Sequence, residues 1–226
     1  MARKVLLICG ILASLIYVGS DILAAMRWEG YSYTAQSVSE LRAIGAPTRS
    51  FLVPILFIYT MLELAFGFGV WGAAAPRGLP KRSLRITGGL LIGLGIVDLS
   101  AYFFPMHLDE TVGALANTIH IILTGVTVLL ILLIIGFGAT ADGKWFRFYS
   151  IMTILILIVT GAWAFSDISR IAANLPTPGL GVRERINIYG YMLWMAMLAL
   201  VLLRAHATAP AREPPANIGA PLVHQS

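Results

Sequence analysis

Apolar residues run along this chain in six long stretches, at about residues 5–26, 52–74, 85–104, 112–137, 148–168 and 186–204, separated by shorter polar segments. At about 1.5 Å per residue, each is long enough to cross a hydrocarbon core about 30 Å thick as a helix. The pattern predicts an all-α polytopic membrane protein, a six-helix transmembrane domain over residues 1–204. The first run, Val5 to Met26, is longer than the apolar region of a signal peptide and reads as an uncleaved helix. Residues 205–226, rich in Pro and Ala without apolar periodicity, read as a disordered cytoplasmic tail.

Polar positions inside the apolar runs recur at helical spacing. The fourth run places Gly113, Asn117, His120, Thr124 and Thr127 on one face, and the first does the same with Gly10, Ser14, Tyr17 and Asp21. Thr153, Thr160 and Asp167 line up in the fifth, Glu184, Asn187, Tyr191 and Trp194 in the sixth, Gly88, Gly95, Asp98 and Tyr102 in the third, and Tyr59 with Glu63 in the second. A left-handed bundle would turn these stripes inward. Serines and threonines on such faces are expected to glue helices together, and Gly89 and Gly93 to let them approach closely. Counting residues from the span ends puts Asp21 and Asp167 at the edge, Asp98 about 9 Å deep, His120 about 12 Å and Glu63 about 16 Å. Ionisable groups at such depth face a bundle interior or a watery cavity. Glu63, Asp98, His120, Asn117, Asp21 and Asp167 are therefore the candidate lining of a polar cavity, although Asp21 and Asp167 lie close enough to the headgroups to be simply solvated.

Composition and charge refine this reading. Mean hydropathy is +0.82 and only 12% of residues are charged, against about 25% in globular domains. The single cysteine, Cys9, excludes an intrachain disulfide and a cysteine-based metal site. Ten of the 16 Lys and Arg fall at the N-terminus, in the second and fourth connections and in the tail. The positive-inside rule then makes both termini cytoplasmic, in the cell membrane. The sequence pI near 9.6 follows from that bias toward anionic lipid and implies no nucleic-acid partner.

Between the first two runs lies GYSYTAQSVSELRAIGAPTR, residues 30–49. Ser37 and Glu40 fit a capping box opening a short interfacial helix at about 37–43, ended by Gly45 and Pro47. Ser39, Glu40 and Arg42, with Glu184 and Arg185 at the start of the last span, are candidates for a lid over the outer mouth. Ser39-Glu40-Leu41 with Gly45-Ala46-Pro47, Phe104-Pro105, His120 and Glu184-Arg185 also carry a resemblance. The chain is similar, up to about Arg204, to a six-pass bacterial and archaeal membrane family, domain of unknown function 998. Glu40 stands where Asp is common in that family, which keeps the carboxylate. The resemblance implies the six-pass topology and brings no activity with it.

Three functions compete. The first is binding or transport of a small molecule or lipid in an outward-facing cavity; the aliphatic inner halves, as in VLLILLIIGF, favour a one-sided cavity over a through-pore. The alternative is a noncatalytic accessory or assembly protein whose polar stripes are packing. The third, and weakest, is a membrane-embedded hydrolase in which Asp98, His107 and His120 hold a metal that activates water. Only two histidines lie on the outer side, and only His120 lies within a span, so haem ligation by a histidine pair is disfavoured. No cofactor or oligomeric state is assigned; the partner that follows directly is the lipid bilayer.

Overall fold

The computed structural model describes residues 1–73, 81–167, 170 and 175–207. Its described helices are α1 (Ala2–Arg27), α2 (Arg49–Ala73), α3 (Lys81–Ala101), α4 (Glu110–Gly138), α5 (Lys144–Phe165) and α6 (Leu180–Ala207), with one 3-10 turn at Ser39–Arg42. All six helices are long and apolar enough to cross a membrane. They extend a few residues beyond most of the expected runs, because polar residues at the ends continue a helix past the hydrocarbon-facing stretch. Two stop short at their far ends: α5 at Phe165, and α3 at Ala101, where turns through Phe104 lead out to Pro105. The expected tail beyond residue 207 and the segment 74–80 lie outside the described residues.

Consecutive helices pack side by side and α6 closes the ring against α1. His206 lies within electrostatic reach of Arg3, Lys4 and the N-terminal amine, so the start of α1 and the end of α6 share one end of the bundle. Residues 28–48 and the α3–α4 connection cover the other end. The main core joins Phe66, Leu91, Leu94, Tyr191, Trp194 and Met195 from three helices. A smaller core under the covering segment packs Leu41 against Ala24, Leu52 and Leu56. In α4 and α5 only 17% of the apolar window is buried, against 33–39% elsewhere, so these two helices present most of their surface to lipid.

Not every stripe turns inward. Gly113, His120 and Thr153 are buried, whereas Thr124 lies on the exterior of α4. Most of the threonines are not glue: Thr60, Thr87, Thr124 and Thr153 each donate to the carbonyl four residues back on their own helix, a bond available to any helical hydroxyl. Interhelical bonds fall instead to Ser14 on the Met192 carbonyl, Trp194 on Ser150, and Asn187 on Thr160. Of the two glycines expected to allow close approach, Gly89 does, a Cβ there lying 3.0 Å from the Trp71 ring, but Gly93 does not, and the tightest approach in this helix is at Gly88. A Cβ on Gly88 would stand 2.6 Å from the Trp71 backbone nitrogen, whereas one on Gly93 would meet nothing within 4 Å.

The covering segment is held from several sides. Glu40 accepts from the Ser37 amide at 2.9 Å and Ser37 Oγ from the Glu40 amide at 3.3 Å, the expected capping box. The helix it opens is only the single turn Ser39–Arg42, because Ala43 turns extended and Ile44 forms a parallel bridge with His107. The Ile44 amide donates to the Met106 carbonyl at 2.7 Å, and Gly45 supplies the positive φ of +96° that turns the chain afterwards. From α6, Glu184 accepts the Val38 amide at 2.7 Å. A Cβ on Gly181 would lie 2.4–2.5 Å from the carbonyls of Gln36 and Tyr33, so this contact admits only glycine.

Arg185 anchors the assembly. Its Nε and Nη2 donate to Asp21 at 2.9 and 3.2 Å, Nη1 to the carbonyls of Tyr33 (2.6 Å) and Gly181 (3.3 Å), and Nη2 also to Tyr31 Oη (3.1 Å). Both side chains are buried. The expectation that Asp21 is simply solvated by headgroups is thus corrected, and so is that for Asp167, which pairs with Arg183. Each acid's partner lies on α6, and Arg183 also stacks on Trp163 at 4.8 Å.

Two predictions follow from this packing. Gly88→Ala should destabilise the detergent-solubilised protein by about 1–3 kcal/mol through overpacking against α2, whereas Gly93→Ala leaves its melting temperature unchanged or raised. Arg185→Met should cost about 3–5 kcal/mol, as expected when one member of a buried pair is removed. Arg185→Lys should recover little of this, since one ammonium cannot serve Asp21 and two carbonyls together; equilibrium unfolding in a denaturing detergent reads both.

Candidate functional site

The candidate residues do not form a single group. Asp21 and Arg185 are consumed by the anchor just described, with Tyr189 Oη donating to the same carboxylate. Asp167 is held by Arg183. Asn117 grips the α3–α4 connection: its Oδ1 accepts from the His107 amide at 2.7 Å and its Nδ2 donates to the His107 carbonyl at 3.2 Å. Of the lid candidates, Glu40 is spent in the capping box and also accepts from Gln36, and Glu184 is spent on Val38. Ser39 is half-buried with no bond of its own side chain among the described residues.

Beneath the covering segment a polar cluster forms around Glu63, which is 0% exposed. Its Oε1 accepts from Tyr59 at 3.1 Å and Tyr191 at 3.2 Å, and Tyr17 packs edge-on against Tyr59 with ring centroids 5.0 Å apart. Half-buried Asp98 on α3 lies close enough to Glu63 for the two carboxyl groups to interact. Glu63 Oε2 has no hydrogen-bond donor among the described residues.

Two clefts open on this half of the bundle, flanking Arg42 and Leu56. The larger is an open, shallow cleft, with Arg42, Arg49, Tyr102 and His120 supplying its polar groups. The smaller lies between α1, α2 and the covering segment and reaches Tyr17 and Asp21. His120 is only 7% exposed and its Nδ1 has no hydrogen-bond partner. Arg49 donates to the Arg42 carbonyl at 2.6 Å. The Arg42 guanidinium makes neither a hydrogen bond nor an ion pair among the described residues, although its charge reaches Asp98, His120 and Glu184.

The tyrosines at this end remain neutral donors. Burial pushes the Tyr31 phenol up to about 12, so it donates to the Ser37 carbonyl at 2.7 Å while accepting from Arg185. Burial likewise raises Tyr102.

Asp98, His107 and His120 do not come together as a metal site; among the described residues no three of His, Cys, Asp and Glu do. Sequence reasoning put Tyr17, Tyr59 and Tyr102 on the polar stripes without counting them in the cavity lining, and it missed Arg49. Tyr59, four residues before Glu63, and Tyr17, four before Asp21, already carried the signal in their spacing. Arg49 carried none, because its proximity to Arg42 depends on the fold of the intervening turn.

No curated protein and no solved structure matches the chain. A family model does, that of Protein of unknown function (DUF998), over residues 11–201. That match runs from within α1 to within α6 and takes in the covering segment, and the chain belongs to the DUF998 family.

Proposed function

We propose that this protein binds a small molecule or lipid in a one-sided polar cavity that opens beneath residues 28–48. In this reading that end faces outward and both termini lie in the cytoplasm, as the Lys and Arg distribution suggests. The observation that carries the reading is an asymmetry in polar satisfaction. Buried hydroxyls toward the other end are all satisfied: Ser14 bonds two carbonyls, Ser150 bonds Phe146 and Trp194, and Thr87 bonds Ser83. Among the described residues, the buried side-chain atoms left without a partner belong to Glu63, His120 and Arg183, at mid-span or in the covered half. Both clefts lie in that half.

A buried polar atom without a partner costs about 1–3 kcal/mol, and folded proteins seldom keep one that a ligand or water does not use. Satisfied polar groups and apolar packing toward the other end support a pocket over a continuous pathway. The low burial of α4 and α5 favours a second reading, an accessory protein that packs a partner against those helices. The scattering of Asp98, His107 and His120 gives the hydrolase reading no support.

Thermal unfolding of the detergent-purified protein with a panel of lipids and divalent metals separates these readings. A ligand at a hundred times its Kd should stabilise the wild type by about 2.7 kcal/mol. Glu63→Gln and His120→Ala should keep the fold and lose that stabilisation. If no addition shifts the wild type and both variants only melt earlier, the cluster is packing and the accessory reading replaces this one.

A further inference from the structure

We propose that the larger cleft binds the phosphate group of a net-anionic amphiphile, with Arg42 as its principal ligand. The inference rests on the binding reading above and specifies the chemistry of what is bound.

Four arginines are described at this end close to the polar cluster, and three have partners. Arg185 and Arg183 are paired with acids, and Arg49 donates to a carbonyl. Arg42 alone projects a half-buried guanidinium between two clefts without a bonded partner among the described residues. The protein's own acids are committed elsewhere, Asp21 to Arg185, Glu40 to the capping box, and Glu184 to the Val38 amide. Asp98 feels the Arg42 charge but forms no ion pair with it. An anion from outside the chain is the partner this arrangement lacks, and a guanidinium fork suits the oxygens of a phosphate.

The remaining walls agree with an amphiphile. His120, more than nine-tenths buried, lines the same cleft with its Nδ1 unpartnered. Arg49 and Tyr102 add a second cation and a hydroxyl, while Val53, Leu56 and Met106 make the rest of the lining apolar. Phe57 packs edge-on against Tyr102 at 6.0 Å and is itself half exposed. A cationic recess beside lipid-facing aromatic surface fits a headgroup whose chain stays in the membrane.

The test measures binding to the full-length protein in an uncharged detergent by native mass spectrometry and thermal shift. The probes are a short-chain phosphatidylglycerol, the matching phosphatidylcholine and inorganic phosphate. Phosphatidylglycerol should bind, and Arg42→Gln should weaken it by about tenfold or more while Arg42→Lys retains part of the affinity. Arg27→Gln, at the same end but stacked on Phe51, should leave the affinity unchanged. Because the Arg42 side chain holds nothing in the fold, Arg42→Gln should melt within a degree or two of wild type in the absence of probe. Inorganic phosphate binding as tightly as the lipid, with the same Arg42 dependence, keeps the anion site and replaces the amphiphile by a free phosphate. Binding of phosphatidylcholine and phosphatidylglycerol alike, unaffected by Arg42→Gln, overturns the anion site and leaves the binding function standing. Absence of binding by every probe overturns this inference; the broader panel of the preceding section then decides separately whether the cavity binds anything.

Discussion

The covered end of this bundle depends on one guanidinium. Arg185 places all five of its N–H groups, on Asp21, on the Tyr33 and Gly181 carbonyls and on the Tyr31 hydroxyl, and its plane lies 3.6 Å from the centroid of Tyr33. In one contact set it joins α1, α6 and the segment between α1 and α2. A charged side chain near a hydrocarbon core is expensive to hold, and here the expense is offset by saturating every donor against a carboxylate and backbone oxygens. Lysine has the charge without the fork, so the requirement is for this geometry and not for a cation alone.

Once that anchor is set, the rest of the covering segment has little freedom. Glu184, the neighbour of Arg185, receives the Val38 amide, which fixes the turn Ser39–Arg42 directly above Leu52 and Leu56 of α2. Leu41 then fills the small core and the next residue, Arg42, must point between the clefts. On the far side the Ile44–His107 bridge, itself clamped by Asn117 of α4, ties the segment to the α3–α4 connection. The segment is therefore bonded to both edges of the opening, and a molecule reaching the Glu63 cluster would pass beside Arg42 or displace this network.

Much of this was legible in the chain itself. Six apolar runs announce six helices because the bilayer demands a minimum length and tolerates few charges. The capping box of Ser37 and Glu40 could be read because its bonds are local. Thr124 could not be placed, since a threonine that satisfies itself on its own helix is as comfortable toward lipid as toward a neighbour. Asp21 and Asp167 were read as solvated ends because their partners, Arg185 and Arg183, are distant in sequence for one and separated by a loop for the other. Gly181 looks like any helical glycine until two carbonyls of the covering segment are laid against it.

Arg42 and Arg185 are chemically the same residue and both reach Glu184 electrostatically, and the fold treats them oppositely. Arg185 is surrounded by oxygens held at bonding distance, while Arg42 has carboxylates within electrostatic reach and none in contact. A chain under pressure only for stability would gain by pairing Arg42 with Asp98, or by replacing it with an apolar residue to match Leu41 and Leu56. Asp98 instead turns toward Glu63, and His120 keeps a buried nitrogen unpartnered on the wall of the same cleft. Local stability is forgone at adjoining positions drawn from three elements, the covering turn, α3 and α4. The binding reading proposed above accounts for such a concentration of unmet polar demand, which is absent from the tightly satisfied anchor beside it.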